Sequence, residues 1–176
     1  MRIIIAGLLG AVAMFIWATI AHLSPLAKVG VQTMPAEGAT LQALHLTLGD
    51  QPGLYVFPSP GKFPDGPSGV LAYQPPGHRG LMPVQLGLEF ALEAVESVLT
   101  AVALALTIGA WRRLGVATLI GLIAAMVTNL SYWNWYGFSL DYSLANALIE
   151  LIKFVVAGLV ITAFLAWRRG SVRRRA

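Results

Sequence analysis

The sequence predicts an all-α membrane protein: a four-helix up-and-down transmembrane bundle with a small extracytoplasmic α+β insert, a helix plus a β-hairpin, between its first and second helices. Three observations lead there. Hydrophobic residues make up 57% of the 176 positions and charged residues 11%, with a mean hydropathy of +0.71, which is too apolar for a water-soluble globule of this length. Four apolar runs are each long enough to cross a hydrocarbon core of roughly 30 Å. The basic residues gather at the ends of those runs that an up-and-down bundle would place together.

The first span covers residues 1–23, and Ile3 to Ala21 contains no charge. A cleaved signal peptide is the rival reading, with Thr19 and Ala21 at the small-residue positions before a cut. Against it stand the length of the run, Trp17 inside it and a basic region of a single residue, Arg2. Cleavage would leave three helices and an N-terminus outside. Gly7, Gly10 and Ala11 form a small-residue patch suited to close helix packing.

Residues 24–85 are too many for a plain loop and should carry structure of their own. Leu41, Leu44 and Leu48 recur at helical spacing, Thr40 is a candidate N-cap and Gly49-Asp50 a candidate stop. Gly53–Phe57 and Gly69–Tyr73 are β-branched and aromatic runs that read as a hairpin. Between them Pro58, Pro60, Pro64 and Pro67, with Gly61 and Gly66, forbid regular structure, and Pro75-Pro76-Gly77 turns the chain back to the membrane. Two strands alone are marginal in water, so the hairpin should lean on the helix, the bundle or another protein through Tyr55, Phe57 and Tyr73.

The remaining spans are expected at 86–111, 114–136 and 142–167, followed by a basic tail at 168–176. Arg2, Arg112, Arg113 and the five arginines of the tail would then share one side that carries no acid. The positive-inside rule makes that side cytoplasmic, with both termini in, and the expected location is a bacterial inner membrane. Trp111 and Trp167 flank those arginines, while Tyr132, Trp133, Trp135, Tyr136 and Tyr142 crowd the opposite end, as interfacial aromatics should.

The second span is amphipathic. Gln85, Glu89, Glu93, Glu96, Thr100 and Thr107 fall within about an 80° arc at 100° per residue. A charge near the middle of a membrane helix costs about 3 kcal/mol on the insertion scale, so this face must meet protein or water. The fourth span answers with Asn146, Glu150 and Lys153, and the third with Thr118, Asn129, Tyr132 and Tyr136. Counting rise per residue puts Glu96, Glu150 and Lys153 at a similar depth, about 14–18 Å in, so Lys153 can pair with either acid. The expected site is an outward-opening carboxylate pocket of His22, Glu89, Glu93, Glu96, Asn129, Asn146, Glu150 and Lys153.

Several chemistries are excluded. No cysteine means no disulfide, thiolate metal site, iron–sulfur cluster or cysteine nucleophile. The net charge of +4 belongs to the juxtamembrane arginines and does not point to nucleic acid. No G-x-S-x-G segment supports serine chemistry, and no Glu-x-x-His pair supports a di-iron bundle. What remains is a non-catalytic accessory, assembly or binding subunit, with the bilayer and a larger membrane complex or a homo-oligomer as partners. The alternatives are a metal-dependent enzyme, with one divalent ion on His22, Glu89 and Glu93, and a proton or small-ion handler using the Glu89, Glu93, Glu96 ladder. Whether the protein is an enzyme stays open on the sequence.

Overall fold

The computed structural model describes residues 1–59, 61, 62, 65–77 and 80–173, with side chains as far as Trp167. The expectations that fall on Pro60, Pro64 and the arginine side chains of the tail lie outside these residues. The chain forms helix α1 (Arg2–Leu23), a 3-10 turn (Pro25–Lys28), helix α2 (Glu37–Leu48), strands β1 (Gly53–Phe57) and β2 (Gly69–Tyr73), then α3 (Met82–Ala105), α4 (Ala110–Tyr136) and α5 (Leu140–Arg173).

α1 is apolar all round and buries only one stripe, made of Ala6, Gly7, Gly10, Ala11, Met14 and Ala21, while Ile4, Leu8, Val12, Ile16 and Ile20 stay exposed. That division, small residues inward and branched aliphatics outward, is what a helix surrounded by lipid requires. Ser24 ends it: its amide donates to the Ala21 carbonyl, and its hydroxyl accepts from the Leu26 amide to start the 3-10 turn.

In the insert, β1 and β2 pair antiparallel with Gly53 opposite Tyr73 and Phe57 opposite Gly69. Helix α2 starts at Glu37 rather than being capped by Thr40. Thr40 lies in the first turn, where both its amide and its hydroxyl donate to the Ala36 carbonyl, and Gly49 ends the helix with a positive φ. The hairpin leans on α2 as the composition requires. The Tyr73 hydroxyl donates to the Gly49 carbonyl at 3.0 Å and lies 3.3 Å from His45 Nδ1, and the Tyr55 and Tyr73 rings meet edge to face. Its other flank faces Trp135, Tyr136 and Gly137 at the end of α4 across a shared cleft.

α3 starts at Met82, with Pro83 in its first turn, and stops at Ala105, short of Trp111. Gly109, at φ 93°, takes a conformation that L side chains avoid and separates α3 from α4. Arg113 secures the break by donating through Nε to the carbonyls of Leu104 and Thr107, both at 3.0 Å. Thr107 therefore leaves the polar face to which the sequence assigns it. α4 passes through a π turn at Met126–Leu130 before its final turns, and α5 begins at Leu140 and runs on past Trp167 into the basic segment.

α1, α4 and the Leu140–Trp167 part of α5 are long and apolar enough to cross a membrane. The expected second span does not qualify by apolarity, because α3 carries Glu89, Glu93 and Glu96 in its middle. α3 packs along α1, α1 along α5 and α5 along α4, whereas α3 and α4 make few contacts. Small residues set the spacings. A Cβ on Gly7 would come within 2.6 Å of the Val98 side chain, and one on Gly10 would strike Ser97 and Ile161. The patch predicted on α1 is thus consumed within the chain. The core is built of Ala6, Met14, Ala101, Leu104, Ala117, Phe154, Ala157, Ile161 and Leu165.

Candidate functional site: a carboxylate cluster between the helices

The register of α3 puts Glu93, Ser97, Thr100, Ala101 and Leu104 into the bundle and leaves Leu88, Leu92, Val95 and Leu99 outside. Ser97 anchors that orientation by donating from Oγ to the Gly7 carbonyl of α1 at 2.7 Å, in a position without solvent exposure. On α5, Trp17 of α1 fixes the facing turn by donating from Nε1 to the Ile149 carbonyl at 2.9 Å. Lys153, one turn further along α5, points its ammonium back across the bundle.

Lys153 Nζ lies 3.1 Å from Glu96 Oε2 on α3 and 3.0 Å from Glu150 Oε1 on its own helix. The sequence allowed either pair; the structure makes both. The ammonium also sits 5.6 Å from the centre of the Phe154 ring. Glu93, one turn from Glu96, is 1% exposed, and neither of its carboxyl oxygens has a hydrogen-bond partner among the described residues. It sits in the field of Lys153 and of the Glu89, Glu96 and Glu150 carboxyls. Two carboxylates thus pair with one ammonium, and a third carboxyl, the most buried of the three, has no hydrogen-bond partner among the described residues. A buried polar group left without any partner costs about 1–3 kcal/mol, so a water or a ligand group is expected at the Glu93 carboxyl.

The other predicted members are less tightly gathered. Glu89 is exposed on the outer part of α3. The exposed His22 has its Nδ1 2.8 Å from the Ala18 carbonyl of its own helix. Asn129 lies in the π turn and donates to the Thr128 hydroxyl, and Asn146 donates to the Tyr142 carbonyl one turn back. Thr100 and Thr118 likewise bond to carbonyls of their own helices. Among the described residues no three His, Asp or Glu side chains converge closely enough to hold a metal ion, the His22, Glu89 and Glu93 set included.

A cavity of about 250 Å³ opens beside the ion pair, between α3 and α4, lined by Glu96, Leu99, Thr100, Ile120 and Phe154. It follows from the packing order: because α3 and α4 diverge from their turn, Glu96 keeps 41% of its side chain exposed along that opening.

Sequence reasoning missed Ser97 and Ser143, both fully buried, and Thr162. Ser97 follows Glu93 by four residues and borders the polar arc, so the helical phase contained that signal. Ser143 and Thr162 had none to distinguish them from lipid-facing hydroxyls. No protein-family model, curated protein or solved structure matches this chain.

Proposed function

We propose that this small membrane protein is a non-catalytic binding or assembly subunit whose four long helices all span the bilayer, with both termini on the cytoplasmic side of a bacterial inner membrane. α3 joins the spans because Glu93 is buried and Glu96 is paired with Lys153, while Leu88, Leu92, Val95 and Leu99 form a continuous apolar outer face. The orientation rests on Arg2, Arg112 and Arg113 lying at one end, with Tyr132, Trp133, Trp135 and Tyr136 of α4 at the other.

The observation that carries the function is the unpartnered Glu93 carboxyl beside the Glu96–Lys153–Glu150 network. A structural ion pair alone needs one acid for its base; the additional buried carboxyl supports a site that receives a cationic or hydrogen-bond-donating group. The opening between α3 and α4 gives that group a lateral approach to Glu96. A proton or small-ion route has the Glu89, Glu93, Glu96 line in its favour. It is disfavoured by what lies below, where the Thr100 hydroxyl is turned back onto the Glu96 carbonyl and Leu104 is fully buried. A blind pocket suits binding better than passage.

The test is purification of wild type and Glu93→Gln from native membranes in mild detergent, followed by mass spectrometry and elemental analysis. A stoichiometric companion present with wild type and lost in the variant is the expected result. A stoichiometric divalent metal, lost in the variant, would instead favour the metal-dependent enzyme built on His22, Glu89 and Glu93. Identical composition of the two preparations would reduce the cluster to helix-packing glue.

A further inference from the structure

We propose that the opening between α3 and α4 seats a transmembrane helix of a partner protein, and that this helix lowers a mid-span lysine or arginine into the cavity to pair with Glu96. This rests on the binding reading given above, with α3 spanning the bilayer, and names the chemistry of what is bound.

The cluster carries more acid than base. Lys153 is shared between Glu96 and Glu150, and the buried Glu93, one turn from Glu96, has no hydrogen-bond partner on either carboxyl oxygen among the described residues. That excess reaches the surface at Glu96, whose side chain is 41% exposed near the middle of α3, with Leu92, Val95 and Leu99 exposed on the same helix. A carboxylate at that depth is costly against hydrocarbon, so what lies over it in the bilayer is a cation or another polar group. Shape narrows the choice. The cavity beside Glu96 holds about 250 Å³ and is walled by Leu99, Thr100, Ile120 and Phe154. A helix about 10–12 Å across does not enter that space, but one long side chain does. Lysine and arginine suit it, because their apolar stems meet the apolar wall while the charged head reaches the acid.

The base must come from a different protein. Lys153 is the sole Lys or Arg in residues 3–27, 80–111 and 114–167, and it is already engaged, so the spans of a second copy of this chain have none to offer. Lipid ammonium groups lie in the headgroup layer, away from mid-span. Because α3 and α4 make few contacts with each other, the cavity opens sideways between two helices, the direction from which another transmembrane helix approaches.

The full chain is reconstituted in phosphatidylcholine vesicles with synthetic Leu-Ala helices about 20 residues long. These carry one Lys at the centre, a Leu in its place, or the Lys moved seven residues, about 10 Å, toward one end. Association is read by energy transfer between dyes on peptide and protein. The central-Lys helix is expected to bind about tenfold more tightly than the other two, the scale of one charge-assisted hydrogen bond. Glu96→Gln is expected to lose that preference. Leu99→Trp, which fills the opening from an exposed position and leaves the ion pairs in place, is expected to lose it while melting with wild type. Equal binding of the three peptides to wild type, or a preference that survives both variants, would overturn the inference. Butylammonium is the soluble probe, read by thermal protection. Protection that Glu96→Gln abolishes, without any peptide preference, would keep the cation-receiving site and overturn the helix as its occupant.

Discussion

Lys153 reaches from α5 to within 3.1 Å of Glu96 on α3, and the same ammonium holds Glu150 of its own helix at 3.0 Å. One cation therefore neutralises charge on two helices that otherwise share little contact, since α3 rests mainly on α1. Its side chain is nearly covered, so solvent does not take over when a partner is lost.

Lys153→Met is expected to destabilise the bundle by on the order of 3 kcal/mol, because it strands carboxylates rather than removing a pair. Adding Glu96→Gln to it should recover part of the loss. Thermal unfolding in a fixed detergent measures both. A Lys153→Met protein that melts with wild type would show that the network contributes nothing to stability.

Gly10→Val is expected to cost about 1–3 kcal/mol, since the new side chain drives into Ser97 and Ile161 where α1, α3 and α5 meet. Gly38→Ala makes the control. A Cβ there meets open space at the start of α2, and the helix gains about 0.5 kcal/mol. The same unfolding assay should move in opposite directions for the two variants.

The absence of cysteine makes site-directed labelling clean. Spin labels at Leu92, Val95 and Leu99 are expected to show oxygen accessibility typical of lipid, and a label at Glu93 to be shielded from both lipid and water. Bulk-water accessibility at Leu92 and Val95 would take α3 out of the bilayer and with it the four-span reading.

Tyr73→Phe removes the hydroxyl that joins β2 to the end of α2. A loss of about 1 kcal/mol of local stability is expected, confined to the insert. Hydrogen exchange should accelerate in α2 and the hairpin while α1, α3, α4 and α5 keep their protection. Uniform acceleration across all helices would mean that the insert and the bundle unfold as one unit.

The elements whose chemistry is local were legible in the sequence. Both strands carry the bounds that their β-branched runs and flanking glycines implied, and Gly49 ends α2. The facing of Glu93, Glu96, Glu150 and Lys153 followed from helical phase and depth alone. What the sequence obscured depends on tertiary contacts. Apolar continuity carried the second span to Trp111, while Gly109 and the inward turn of Arg113 end α3 at Ala105. The Gly7 and Gly10 patch promised close helix packing without naming the partner, and only the packed helices reveal Val98, Ser97 and Ile161 filling it. His22 shares a depth with Glu89, yet the hydrogen-bonding neighbour of its ring is its own helix, because depth does not fix azimuth.

Chain order gives the α3–α5 ion pair a consequence for biogenesis. Ribosomes deliver α3 to the membrane before Lys153 has been synthesised, so its carboxyl face meets the insertion machinery without its counter-ion. With α3 spanning the bilayer as proposed, it must linger in a watery or protein-lined vestibule until α5 emerges, and a nascent chain truncated after α4 should leave α3 outside the hydrocarbon. α5 thus acts as a latch on an earlier helix, so that the bundle closes only once α5 has been made.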